Sequence, residues 1–201
     1  MKKNRDSLII NSVIVVLEII ALIISTKNLG YLGLEFYTVD SNILALISSL
    51  ILVIYLLTNK KIPRWLSLFK YIATLGLTLT LIVVLFILLP MSNFNYSGLF
   101  LKGVMPLHHL ICPILGIVSF IFYDNLGKFD KKDGVFSLIF TFVYGIILII
   151  LNIAGKVSGP YPFLMVKNQS LLASIIWIII IYALTFFISY VLRLLRNKCC
   201  R

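Results

Sequence analysis

Charge is what this chain most lacks. Asp, Glu, Lys and Arg make up 12% of its 201 residues, about half the ~25% of ordinary soluble domains. Hydrophobic residues make up 61%. A water-soluble domain of this size cannot hide so much apolar surface, so the class that remains is an integral membrane protein. Cysteine is scarce as well: Cys112, Cys199 and Cys200 are the only three. Two of them are adjacent and one lies within an apolar run, which excludes a disulfide framework. The Cys199-Cys200 pair ends a basic tail, where the one role it suggests is juxtamembrane lipidation. Histidine occurs twice, as His108 and His109. Neighbouring side chains point about 100° apart on a helix and do not easily grip one ion, so no metal site is expected. HExxH, CxxC, GxSxG and a glycine-rich phosphate loop are all missing, and no cofactor is expected.

What the chain has in abundance is apolar runs. Six of them, over residues 8–25, 41–58, 66–90, 106–123, 135–154 and 171–195, are each near the ~20 residues needed to span a bilayer. The connections leave no room for a soluble domain, so residues 1–201 read as one domain. The start, MKKNRDS followed by an apolar run, mimics a signal peptide. Its run is long and no small-x-small cleavage site follows cleanly, so a retained first helix is expected. With the N-terminus inside, 14 of the 18 Lys and Arg fall in cytoplasmic segments and Lys27, Lys102, Lys156 and Lys167 fall outside. That asymmetry orients both termini to the cytoplasm. It also accounts for the net charge of +11 without a nucleic-acid partner, for which a basic face interleaved with aromatics is lacking. The expectation is an all-α integral membrane bundle of six transmembrane helices, embedded in the cell membrane.

The polar residues inside these runs are few and patterned. Asn11, Glu18 and Ser25 are seven apart, share one helix face and are expected to point into the bundle. Tyr144 and Asn152 repeat the pattern in the fifth run. Tyr71, Thr74 and Thr78 in the third are expected to hold helices together. The outer connections are rich in Gly, Pro and aromatics, as in SGPYPF. Such segments fold down over a bundle and line a pocket, or form an interfacial aromatic belt. Two polar clusters meet at the outer face: Thr38, Asp40, Ser41 and Asn42 at the start of the second run, and His108 with His109 at the start of the fourth. A hydroxyl becomes a nucleophile when a base takes its proton, and imidazole is the usual base near neutral pH. Against that stands a plain structural role, in which Thr38, Asp40 or Ser41 caps the second helix.

FYTVDSN at residues 36–42, HHLICP at 108–113 and YPFL at 161–164 resemble the androgen-induced protein family and its six-helix bacterial relatives. The family's eukaryotic members are threonine hydrolases that cleave fatty acid esters of hydroxy fatty acids. The resemblance implies Thr38 as nucleophile and a histidine ahead of Pro113, His108 or His109, as base. It implies a pocket-forming role for Tyr161, Pro162 and Phe163. Asp40, Glu35 and Glu18 remain candidates to orient the histidine, and Asp40 and Asn42 are expected as capping or supporting groups. The implied substrate is a membrane lipid or fatty acyl ester entering from the bilayer. Two other functions are compatible with the residues: a small transporter or channel using Glu18, and a non-catalytic membrane scaffold.

Overall fold

The computed structural model describes residues 2–199. Cys200 and Arg201, one in the lipidation pair and one in the inner-face charge count, lie outside the described residues, as do the side chains of Lys2, Lys3, Tyr31 and Leu32. No strand occurs among the described residues. Helix α1 is Lys2–Leu29, followed by a 3-10 segment, Gly30–Glu35. Helix α2 is Tyr37–Leu57, α3 is Arg64–Met91, α4 is Leu107–Tyr123, α5 is Lys131–Ile153 and α6 is Leu171–Cys199. Five of these are long and apolar enough to cross a membrane, and α4 is the shorter one. The chain is therefore a multi-pass helical membrane protein by the length and composition of its helices.

Local chemistry explains where helices stop and bend. Pro63 precedes α3, and Asn59 just beyond α2 has φ of 52°, a left-handed conformation that Asn tolerates. Near Pro90, α3 widens into a π-helical turn at Val84–Leu88. Helix α4 is π-helical at both ends, Leu107–Ile111 and Ser119–Tyr123. The first of these turns lies just ahead of Pro113, which has no N–H to give the carbonyl four residues back. At the start of α5, Asp130 accepts the Asp133 N–H at 2.9 Å and Asp133 returns the bond. This capping box satisfies donors that a helix start leaves orphaned. Arg64 pairs with the Asp133 carboxylate and so ties α3 to the same cap.

One face of α1 is apolar and exposed, with Ile9, Val13, Val16, Ile20 and Ile24 along it, as suits a helix facing lipid tails. The opposite face buries Asn11, Glu18 and Ser25, as their spacing predicts. Helix α3 is the most enclosed. Lys70, counted above among the inner-segment cations, is instead buried on α3. Its ammonium donates to Asn11 Oδ1 at 2.7 Å and Ser49 Oγ at 2.6 Å. Asn11 Nδ2 in turn donates at 2.8 Å to Asp124 Oδ1, which also accepts from Ser7 and Ser119. Lys70 and Asp124 are thus opposite charges bridged by one amide and held out of lipid. Arg196, also from the inner-face count, is buried and donates to the Phe120 carbonyl at 3.1 Å. Tyr71 crosses to α6, donating to the Ser189 carbonyl at 2.7 Å. Thr74 and Thr78 differ from expectation: each hydroxyl bonds back to its own helix, to the Lys70 and Thr74 carbonyls.

The Asp124 carboxylate serves three donors and balances a buried ammonium. Asp124→Ala is expected to cost about 2–5 kcal/mol by stranding those groups. Thermal unfolding of the detergent-solubilised protein, compared with wild type and with Asp130→Ala, checks this.

Candidate functional site

Helix α2 opens with backbone N–H groups that have no partner within the helix. Phe36 occupies the cap position and supplies no side-chain bond. The expected caps do something else, because the helix starts before them. Thr38, Asp40 and Ser41 lie within its first turns, and no side chain of theirs caps it. The orphan amides are met from other helices and loops: Tyr37 N–H donates to Tyr144 Oη at 3.0 Å and Thr38 N–H to Tyr161 Oη at 3.3 Å. Tyr144 Oη–H in turn donates a hydrogen bond to the Glu35 carbonyl at 2.7 Å. Ser41 donates to the Thr38 carbonyl at 3.0 Å and meets Thr80 Oγ1 at 3.0 Å. That contact needs α3 close, and Gly76 permits it: a Cβ there would lie 3.1 Å from Ser41 Cβ. Asn42 Nδ2 donates to the Thr38 carbonyl at 2.6 Å and the His108 carbonyl at 3.3 Å. Its expected supporting role takes that form, joining α2 to α4.

Tyr161 arrives from the connection between α5 and α6. Gly159 there has φ of 88°, and a Cβ would meet the Leu164 carbonyl oxygen at 2.9 Å, so the bend requires glycine. Tyr161 stacks on Phe163 with centroids 5.2 Å apart, and Phe163 packs on Trp177. The Thr38 and Tyr161 hydroxyl oxygens are 3.3 Å apart. Burial pushes the Tyr161 phenol above its ordinary pKa, so it keeps its proton and remains a donor.

The two histidines lie in the first π-helical turn of α4 and face different neighbours. His109 donates from Nδ1 to the Leu99 carbonyl at 2.7 Å and meets Phe100 edge-on. His108 is 2% exposed. Its Nε2 lies 2.8 Å from Ser25 Oγ, and its Nδ1 lies 3.9 Å from Glu18 Oε2. Glu18 is fully buried beside the Cys112 thiol, and neither of its oxygens has a partner at hydrogen-bond geometry among the described residues. No cluster of three or more His, Cys, Asp or Glu among the described residues is arranged to hold a metal ion.

One cavity of about 480 Å³ gathers these pieces, with Ser25, Thr38, His108, His109, Tyr161 and Pro162 in its wall. A second, apolar cavity shares Thr38 and Tyr161 and reaches Phe163 and Trp177. Thr38 is therefore common to both. Asp40 and Glu35 line a separate groove beside Lys156 and are not brought to the histidines. Of the three carboxylates considered for orienting the base, Glu18 is the one beside His108.

No family model, no curated protein and no solved structure matches the chain. The likeness to the androgen-induced protein family thus stands on its three short motifs.

Sequence reasoning paired the histidine with Thr38 and overlooked Ser25 as its partner. The signal was present, since Ser25 closes the inward row that begins at Asn11. Tyr144 was marked as inward-facing, but nothing local linked it to the start of α2.

Tyr144→Phe and Tyr161→Phe each remove the acceptor for a buried α2 amide, at an expected cost of about 1–3 kcal/mol. Thermal melts test the stability loss. Amide hydrogen exchange is expected to rise at Tyr37 in the first variant and at Thr38 in the second.

Proposed function

We propose that the protein hydrolyses fatty acyl esters of membrane lipids in the chamber between α1, α2, α4 and the 154–170 connection. The observation that supports this most directly is a single cavity walled by hydroxyls, two buried imidazoles and apolar side chains. The topology that goes with this reading is six crossings with both termini cytoplasmic, in the cell membrane, and the chamber at the outer face. An ester entering from lipid lays its chain along the apolar walls. A wall hydroxyl attacks its carbonyl carbon while His108 Nε2 takes the hydroxyl proton. His108 then protonates the departing alcohol, and water releases the acyl group in a second attack. The family resemblance gives the attacking role to Thr38. The Tyr161 hydroxyl, already accepting from the Thr38 amide, has its own proton to offer the carbonyl oxygen as negative charge develops there.

Glu18 is the residue on which a transport function would rest. Its neighbour is the imidazole of His108, and a carboxylate that orients a base fits that neighbour better than an ion-carrying site does.

With purified protein in nanodiscs and a fluorogenic long-chain acyl ester, His108→Ala is expected to lower turnover by about 100-fold or more. Thr38→Ala is expected to lower it by a similar factor. Wild-type turnover no faster than that of His108→Ala would overturn the reading.

A further inference from the structure

We infer that the hydroxyl His108 activates is Ser25, with Glu18 as the group that orients the imidazole. The inference rests on the ester-hydrolase reading and moves the attacking role from Thr38 to Ser25.

A base deprotonates the hydroxyl it already holds in a hydrogen bond. His108 Nε2 lies 2.8 Å from Ser25 Oγ, and in the tautomer with the ring proton on Nδ1 the serine donates and Nε2 accepts. The Thr38 hydroxyl faces Tyr161 instead. For Nε2 to accept, the ring proton must sit on Nδ1. Nδ1 has no hydrogen-bond partner among the described residues, and a carboxyl oxygen of Glu18 stands 3.9 Å away. That separation is longer than a hydrogen bond, as catalytic contacts often are before substrate binds. The order hydroxyl, Nε2, Nδ1, carboxylate is that of a serine triad, which is recognised by geometry and not by position in the chain.

The scaffold suits the role. Ser25 and Glu18 are two turns apart on one face of α1, so one rigid helix presents both and α4 inserts the imidazole against them. Ser25 is 4% exposed and is among the residues that line the cavity. Glu18 has no exposed surface. The residue with the attacking hydroxyl lines the chamber, and the orienting residue does not.

The chemistry balances with water as the only co-reactant. Ser25 Oγ bonds to the ester carbonyl carbon as its proton moves to His108 Nε2. The bond from that carbon to the alcohol oxygen breaks, and the alcohol leaves with the proton from Nε2. Water then gives a proton to Nε2 and its oxygen bonds to the acyl carbon. Ser25 Oγ departs, recovers the proton, and a carboxylic acid is released. Thr38 and Tyr161, whose hydroxyls meet across the same cavity, are placed to donate to the carbonyl oxygen at both steps.

The test is adduct mapping. Purified protein in nanodiscs is treated with an alkyl fluorophosphonate, digested and sequenced by tandem mass spectrometry. The expected adduct is on Ser25, absent from both Ser25→Ala and the near-isosteric Ser25→Cys, and still formed, more slowly, in Thr38→Ala. Glu18→Gln is expected to slow labelling at saturating probe by ten-fold or more, with the half-saturating probe concentration unchanged. An adduct on Thr38 that survives Ser25→Ala overturns the Ser25 assignment and leaves the hydrolase reading intact. No adduct on either residue, in protein shown by its melting curve to be folded, overturns the hydrolase reading and this inference with it. Labelling rates in Glu18→Gln equal to wild type overturn the orienting role.

Discussion

A polar row on a membrane helix has to find partners inside the protein, because the bilayer core offers none. Helix α1 carries such a row in Asn11, Glu18 and Ser25, and much of the bundle is arranged around what each one needs. Asn11 is met by Lys70 from α3 and Asp124 from the end of α4. Glu18 and Ser25 are met by His108, also from α4. The row therefore sets which face of α1 turns inward and which helices approach it. The apolar residues on the opposite face need no partner beyond lipid. The lower part of the row stabilises by bridging opposite charges, and the upper part holds an imidazole between a hydroxyl and a carboxylate. One spacing of seven supports two different chemistries, separated along the membrane normal by two turns of helix.

The same constraint acts at the start of α2, where backbone amides stand in for side chains. A local cap would have satisfied them cheaply. Tyr144 and Tyr161 satisfy them from a distance instead, which couples the position of Thr38 to α5 and to the 154–170 connection. That coupling has a consequence for the chamber. The tyrosine that caps α2 also lines the cavity, so one side chain both anchors the helix end and walls the chamber. Gly159 and the Tyr161–Phe163 stack are what bring it there.

How the site reads from sequence depends on how local each relationship is. The inward face of α1 was legible from periodicity alone, and the structure buries every member of it. The gathering of Thr38, His108, His109, Tyr161 and Pro162 around one cavity was legible from the alternation of spans, which brings those segments to one end of the bundle. The helix-cap roles offered to Asp40 and Ser41 were not correct, because a propensity for caps says nothing of a tyrosine more than one hundred residues away. Asp40 differs for a second reason: it lies two positions past Thr38, which turns its side chain by about 200° around the helix and into another groove. Lys70 was misplaced because a charge count treats every lysine near a span end as solvated, and a buried one with two oxygen acceptors looks the same in sequence.

By itself the sequence determined the class, the inward row and the end of the bundle at which the polar clusters meet, since these follow from composition, period and the alternation of spans. The tertiary structure alone decided who touches whom. It seated His108 on Ser25 and beside Glu18, gave Thr38 to Tyr161, and sent Asp40 elsewhere. The physical reason is range: helix periodicity fixes direction around one axis, whereas a hydrogen bond between helices depends on their separation, rotation and tilt to within a fraction of an ångström, and those are set by the packing of the whole bundle.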